Sequence, residues 1–242
     1  MTPTTDDLAR LPMFIGLSED DLKNALLLAR MTLQRIKKGS VIVEEYSLCA
    51  APVFVLNGKV EVDTYSDSRS YHVVERLEAP FMIEPDRLYG LSTHYRSTYY
   101  AATACDTLSM PKEDFMLLIT KYDIVRFNFF NAICRKAQQA DNLLWLGNKG
   151  SLKEGMINFF RRHCITPTGY KTFYIKMVQM ADELNVKRLY VSQALNDLDK
   201  DEKIILKRGI IEIPELRLLS ALSNRSMEDI KEETTTQHDD KY

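Results

Sequence analysis

The segment spanning residues 178–213 restricts the possible folds of this chain more than any other segment. Its apolar spacing predicts two helices, at residues 178–184 and 188–198, joined by the turn Asn185-Val186-Lys187. Ala181 is small enough for two helices to cross closely, and Asn185 tolerates the left-handed backbone that this turn requires. The pattern therefore predicts a helix-turn-helix whose second helix buries one apolar face.

A basic β-hairpin is predicted directly after the second helix. Two β-branched runs, Ile204-Ile205-Leu206 and Ile210-Ile211-Glu212-Ile213, flank the tip Lys207-Arg208-Gly209. A helix-turn-helix followed by such a hairpin is a winged helix, and the tip of the wing is placed to contact backbone phosphate. Residues 147–222 hold thirteen Lys and Arg against nine Asp and Glu, a local charge of +4, although the whole chain has a formal net charge of -2.

The outward face of the second helix is predicted to read DNA. It combines cations, hydroxyls and amides, the residue types that reach phosphates and base edges in a major groove. The alternative is a solvated helix, or one that serves only protein contacts, and the basic wing counts against it. The predicted DNA-binding residues are Lys187, Arg188, Leu189, Tyr190, Ser192, Gln193, Asn196, Lys207 and Arg208.

The first half of the chain has a residue pattern typical of a β-sheet domain. From about residue 33 to residue 110, short runs rich in β-branched and aromatic residues alternate with turn residues, which predicts a small β-roll, barrel or sandwich. Asn57-Gly58 separates two of these runs, Val53-Phe54-Val55-Leu56 and Val60-Glu61-Val62-Asp63. This dipeptide predicts a hairpin between them.

A long helix is predicted from about residue 123 to residue 146. Along it Phe130, Ile133, Ala137, Ala140 and Leu144 recur at intervals of three and four, which makes a narrow apolar seam with polar flanks. Such a seam is typical of a helix that pairs with its own copy; packing against its own domain is the alternative. Residues 223–242 are polar and lack apolar periodicity, so they predict a disordered acidic tail.

Other features narrow the class of protein. No apolar run is long enough to cross a bilayer, no signal peptide is present, and the four cysteines are scattered, so a reduced cytoplasmic compartment is expected. No nucleophile–base pair, phosphate-binding glycine loop or metal-spaced His/Cys set is present. We therefore predict neither an enzyme nor a bound cofactor or metal.

Several sequence blocks, in order along residues 11–222, resemble the CRP/FNR family of the cyclic AMP receptor protein and the fumarate-nitrate regulator. The winged helix closes the series. The earlier blocks are Phe14-Ile15-Gly16-Leu17-Ser18, Lys38-Gly39, Val53-Phe54-Val55-Leu56-Asn57-Gly58-Lys59-Val60-Glu61-Val62, Arg96-Ser97, residues 101–105 and Pro111-Lys112-Glu113-Asp114-Phe115.

This resemblance implies an α+β architecture. Residues 1–122 would form a β-roll sensor domain of the cyclic-nucleotide-binding type, residues 123–147 a dimerisation helix, and residues 148–222 a winged helix-turn-helix, followed by the tail at 223–242. It also implies a homodimeric transcription regulator with double-stranded DNA as its partner, RNA polymerase as a further candidate partner, and a small-molecule effector.

The resemblance weakens at the effector site. Family members that bind cyclic nucleotide carry Phe-Gly-Glu and then Arg-Ser, and the corresponding residues here are Phe81-Met82-Ile83-Glu84 and Arg96-Ser97. Glu84, Arg96 and Ser97 are the candidate effector-binding residues. Ile83, however, replaces a glycine whose bare backbone lets the ligand approach, and Lys136 and Ala137 stand where adenine-facing hydroxyl residues are expected. We therefore expect an effector other than cyclic AMP.

A haem or redox sensor of the same fold is the alternative. The iron–sulfur variant of the family needs clustered N-terminal cysteines, and none precedes Cys49. His72 and His94 are candidate haem ligands, and Cys49 and Cys105 are candidate redox residues, although isolated cysteines in apolar surroundings are usually inert.

The base-reading residues also differ from the best-known family pattern of Arg, Glu and Arg. Arg188 keeps the first place, Leu189 replaces the glutamate and Gln193 replaces the second arginine. Arginine pairs with guanine, glutamine with adenine, and an apolar side chain contacts the thymine methyl. We predict a DNA site distinct from that of the cyclic AMP receptor protein.

Overall fold

Two capped helices open the computed structural model, which describes residues 2–145 and 151–219. Helix α1 (Thr5–Ala9) begins at a capping box in which Thr4 and Asp7 exchange hydrogen bonds. Helix α2 (Glu19–Leu28) is capped by the Ser18 hydroxyl, which accepts a hydrogen bond from the Asp21 N–H. Both helices bury apolar residues on their inner faces.

Short antiparallel strands follow these helices. They are β1 (Thr32–Ile36), β2 (Val41–Val43), β3 (Val53–Asn57), β4 (Lys59–Tyr65), β5 (His72–Glu78), β6 (Phe81–Met82), β7 (Thr98–Ala101) and β8 (Cys105–Ser109). In the first of two units, which comprises the chain up to Thr64 and Arg76–Asn142, one sheet has the order β1-β8-β3-β6. In a second sheet β7 pairs with both β4 and β2. The predicted β-sheet domain is confirmed.

The dipeptide Asn57-Gly58 forms a corner between these sheets, so the predicted hairpin is wrong. β3 pairs with β8 and β6, whereas β4 lies in the other sheet. The Asn57 amide oxygen accepts from the Asp106 N–H at 3.0 Å. Gly58 has a φ of 94°, and a Cβ there would lie 2.7 Å from the Ala104 carbonyl oxygen and the Cys105 sulfur. These long-range contacts turn the chain away from β3.

Aromatic rings from several elements fill the core of the first unit. Phe14, Phe54, Phe115 and Phe129 form a series of tilted and edge-to-face contacts with centroid separations of 5.5–6.1 Å. Phe115 belongs to helix α3 (Lys112–Lys121) and Phe129 to helix α4 (Asp123–Trp145). The contacts therefore fix both helices against the sheet.

Helix α4 matches the long helix predicted from the sequence. Val125 and Phe129 are buried in the first unit, whereas Phe127 and Phe130 are 61% and 51% exposed. Leu144 is 80% exposed. The predicted seam thus lies mainly at the surface of this chain, and Ile133 is its half-buried member.

The second unit combines the C-terminal part of the chain with a segment from the first half. It comprises residues 65–75 together with the described residues from Leu143 onward. Its further elements are α5 (Leu152–Arg162), β9 (Lys171–Tyr174), α6 (Met177–Leu184), α7 (Arg188–Lys200), β10 (Ile205–Lys207) and β11 (Ile210–Ile213). The beginning of β5 pairs with β9, which gives the strand order β10-β11-β9-β5.

The core of this unit is apolar and aromatic. Phe160 and Phe173 pack with their centroids 4.8 Å apart, and Leu195 of α7 is fully buried in the same cluster. The domain boundaries expected from the sequence assign each domain one continuous segment of the chain, and they remain predictions. They do not include the grouping of residues 65–75 with the C-terminal part of the chain. Residues 146–150 and the predicted tail lie outside the described residues.

None of the helices in the described ranges is both long enough and apolar enough to cross a membrane.

Candidate functional site

The turn between α6 and α7 has the geometry that its sequence predicts. Asn185 adopts φ 52° and ψ 48°, and its N–H donates to the Ala181 and Asp182 carbonyls. The Val186 N–H also donates to the Ala181 carbonyl, at 3.0 Å. Ala181 is buried, and its small side chain allows close packing in the helix-turn-helix. Two helices joined by the predicted turn thus lie at the positions that the sequence indicates.

Helix α7 separates a buried face from an exposed one. Val191, Leu195 and Leu198 are buried, as is Ala194. Ser192 is half-buried, and Asn196 donates to the Ser192 carbonyl at 2.7 Å. The other predicted contact residues on this side are exposed, and they are Lys187, Arg188, Leu189, Tyr190, Gln193 and Asn196.

The basic wing is the hairpin of β10 and β11. Lys207 pairs with Ile210 across a tip formed by Arg208 and Gly209, and Gly209 has the positive φ of 73° that glycine adopts without strain. Lys207 and Arg208 are both exposed, and the Lys207 ammonium lies 2.6 Å from the Glu212 carboxylate. The wing is also attached to α7, because the Leu206 N–H donates to Asp199 at 2.8 Å.

A buried ion pair anchors residues 65–75 to the second unit, and sequence reasoning missed it. Glu75 on β5 lies opposite Lys171 on β9; both side chains are 0% exposed, with 2.6 Å between Nζ and Oε2. The carboxylate also accepts from the Ile165 N–H at 2.6 Å and the Thr166 N–H at 3.3 Å. Lys171 donates further to the Thr166 hydroxyl at 2.6 Å. These hydrogen bonds offset the desolvation of the two charges.

The predicted effector residues come together in the first unit, although in an arrangement that was not foreseen. Glu84 has φ 37° and ψ 62° and is buried. Its carboxylate accepts from the Arg96 N–H at 2.8 Å and from the Ser97 N–H at 3.2 Å. Desolvation by burial raises the pKa of Glu84 in spite of the backbone donor. A carboxylate of the chain itself thus takes the backbone donors that an anionic ligand would need.

The remaining polar groups around Glu84 also contact protein atoms. The Arg96 guanidinium lies 3.6 Å from the Glu45 carboxylate, and the Ser97 hydroxyl lies 2.6 Å from the Thr64 hydroxyl. Lys136 of α4 forms an ion pair with Asp86, which follows Glu84 in a short 3₁₀ turn (Pro85–Arg87). The turn after Glu84 is therefore linked directly to α4.

The candidate haem ligands and redox cysteines lie in ordinary core or surface surroundings. Cys49 and Cys105 are buried, and desolvation raises the pKa of both thiols, which disfavours the reactive thiolate. His72 is stacked between Tyr65 and Tyr174, and His94 is exposed. Within residues 2–145 and 151–219, no group of three or more His, Cys, Asp or Glu side chains is placed to hold a metal ion.

Comparison with known proteins finds matches among solved structures. No family model matches the chain, and no curated protein sequence matches it. The catabolite activator protein of Thermus thermophilus is 21% identical, with a TM-score of 0.49 over 86% of this chain and 96% of that chain. CprK in complex with OCPA is 15% identical, with a TM-score of 0.48 over 84% and 93% of the two chains.

A third match is the c-di-GMP-responsive global regulator CLP of Xanthomonas campestris. It is 11% identical, with a TM-score of 0.47 over 79% of this chain and 99% of that chain. The matches are regulators of the CRP/FNR type, the family that the sequence resembles. At these identities the likeness concerns the fold.

Proposed function

We propose that this chain is a DNA-binding transcription regulator of the CRP/FNR type, without catalytic activity. The observation that carries the proposal is the exposed face of α7, which bears cations and amides beside a basic wing. A helix fits the major groove of B-DNA, where base edges present donors and acceptors to such side chains. RNA polymerase is the expected protein partner of the DNA-bound regulator.

The exposed residues of α7 suit specific bases as well as phosphates. Arg188 stands at the start of the helix, and its guanidinium is suited to a bidentate pair with guanine. Gln193 is suited to adenine, and the 63% exposed Leu189 is suited to a thymine methyl. Lys207 and Arg208 on the wing contact phosphate and therefore contribute affinity without sequence preference.

The regulator acts as a homodimer through α4. Phe130, Ala137 and Leu144 recur every seven residues, and all three are exposed in the single chain. Pairing with a second α4 removes this apolar surface from water, which is the expected behaviour of a coiled-coil seam. Two copies of α7 then read two half-sites related by a two-fold axis.

The effector of this regulator is a small molecule other than cyclic AMP. Ile83 is buried where the family pattern has glycine, and Glu84 already accepts from the backbone donors of Arg96 and Ser97. A cyclic phosphate placed at those donors would meet the Glu84 carboxylate, so like charges would oppose binding.

Binding-site selection tests this proposal. The purified, ligand-free protein is incubated with random-sequence duplexes, and the bound DNA is sequenced through successive rounds. We expect enrichment of a two-fold-symmetric motif that differs from the site of the cyclic AMP receptor protein. Recovery of that receptor's own site would contradict the proposal. So would an affinity for the selected duplex that does not fall as the salt concentration is raised.

A further inference from the structure

The turn between β4 and β5 projects from the same end of the sheet as the wing. Lys207 is paired with Ile210, Ile210 with Tyr174, and Tyr174 with His72. These four residues form one row across the strands. Residues 66–71, here called the serine tip, immediately precede His72, so they leave the sheet at the end where Arg208 and Gly209 form the wing tip.

A stack of aromatic rings includes two residues of this row, His72 and Tyr174. The Tyr65 and His72 rings lie 4.7 Å apart with an interplanar angle of 8°, and the His72 and Tyr174 rings lie 4.5 Å apart at 16°. Arg69 of the serine tip covers the outer face of this stack, with its guanidinium carbon 4.5 Å from the Tyr65 centroid. The stack therefore positions Arg69 relative to β9 and the wing.

Hydrogen bonds join the serine tip and the wing to the start of α6. Gln179, in the first turn of α6, donates to the Ser70 carbonyl at 2.7 Å and accepts from the Lys176 N–H at 2.8 Å. The Ile175 N–H donates to the Gly209 carbonyl at 3.0 Å. The serine tip, the N-terminus of α6 and the wing tip thus belong to one surface of the second unit.

This surface concentrates positive charge. Arg69, Lys176, Lys207 and Arg208 are all exposed on it, and the N-terminus of α6 adds the positive end of a helix dipole. The acidic residues beside these cations are Asp67 of the serine tip and Glu212, which pairs with Lys207. Three strand spacings separate the serine tip from the wing tip, or about 14 Å, which corresponds to about four base pairs along a DNA axis.

We propose that the serine tip is a second wing of the DNA-binding unit, and that Arg69 contacts the sugar–phosphate backbone of duplex DNA. The inference rests on the proposed function and deepens it. Charge complementarity and continuity with the wing identify the partner, because a duplex seated against Lys207 and Arg208 presents further phosphates along the same surface. The contact adds affinity and fixes orientation, and it reads no base.

The test measures the salt dependence of DNA binding by the full-length protein. Arg69→Gln removes the charge and keeps most of the side chain, whereas Arg69→Lys retains the charge. Arg217→Gln is the matched control, because Arg217 is exposed in the same unit but follows β11 at the opposite end of that strand. Dissociation constants are measured by fluorescence anisotropy between 50 and 300 mM KCl, with a selected duplex and with an unrelated duplex.

We expect Arg69→Gln to weaken binding to both duplexes by the same factor, roughly three- to tenfold at 0.1 M salt, and to lower the log–log salt slope by about 0.9. Arg69→Lys should retain most of the slope, and Arg217→Gln should match the wild type. Asp67→Asn should tighten binding to both duplexes.

The two proposals fail in different ways. If the wild type binds duplex DNA with a steep salt slope and Arg69→Gln behaves like Arg217→Gln, the second wing is overturned and the proposed function stands. If the wild type does not bind duplex DNA, the proposed function itself is overturned, and the second wing with it.

Discussion

Substitution of Lys171 by methionine is expected to destabilise the second unit selectively. The change removes the ammonium of the buried pair and keeps an unbranched side chain. Glu75 then stays fully buried, with the N–H groups of Ile165 and Thr166 as its remaining donors. Removing one partner of a buried ion pair costs about 3–5 kcal/mol, because the other charge is left uncompensated. The loss of stability should be greatest at β9, because Lys171 belongs to this interior strand of the sheet.

Hydrogen–deuterium exchange measures this local loss of stability at the amides of β9. With 1.36 kcal/mol for each factor of ten, the substitution should speed exchange of the β9 amides by about 150- to 5,000-fold. Peptides from β1 and β8 serve as an internal control, because these strands belong to the first unit. Their exchange should stay close to that of the wild type.

A second substitution separates the effect of charge from that of packing. Glu75→Gln in the Lys171→Met background removes the stranded charge, and the glutamine oxygen still accepts from the Ile165 N–H. The double variant should therefore regain most of the protection in β9. Wild-type exchange in the Lys171→Met protein, or greater loss in the double variant than in the single one, would refute this account of the pair.

Three further outcomes are expected. Lys207→Ala should weaken binding to all duplexes alike, as measured by anisotropy, since the wing contacts phosphate. Phe130→Glu should shift the protein from dimer to monomer in sedimentation velocity, because it places a charge in the α4 seam. The Arg30 guanidinium and N–H lower the pKa of Asp114 from 3.8 to about 2. The ionised carboxylate therefore contributes stability above about pH 4 that is lost as pH falls through 2, so the melting temperature of Asp114→Asn should lie below the wild-type value at pH 7 and approach it near pH 2.

Local patterns were sufficient to predict helices α6 and α7, the turn between them and the hairpin that follows. Asn185 adopts the predicted left-handed backbone, the small Ala181 is buried where close packing is expected, and Gly209 lies at the tip of the predicted hairpin. The exposure of the α4 seam follows from the same kind of reasoning, because apolar spacing along one helix determines which residues share a face.

Contacts between residues far apart in the sequence could not be predicted from local patterns. Glu75 and Lys171 are 96 residues apart in sequence, and nothing near either residue indicates that β5 extends the sheet of the second unit. The corner at Gly58 also depends on a long-range contact, because Asn57 accepts a hydrogen bond from the N–H of Asp106, 49 residues further along the chain. Family resemblance indicated that Glu84, Arg96 and Ser97 share a site, but not that the Glu84 carboxylate occupies the backbone donors.

The central claim, that α7 reads base pairs through Arg188, is tested most directly by binding measurements on base-substituted duplexes. Wild type and Arg188→Ala are titrated with the selected duplex and with duplexes changed at one symmetric position at a time. The account predicts that Arg188→Ala loses about 1–3 kcal/mol on the selected duplex and no longer discriminates at one base pair of each half-site, with discrimination elsewhere unchanged. An equal loss on every duplex, or no loss at all, would contradict it.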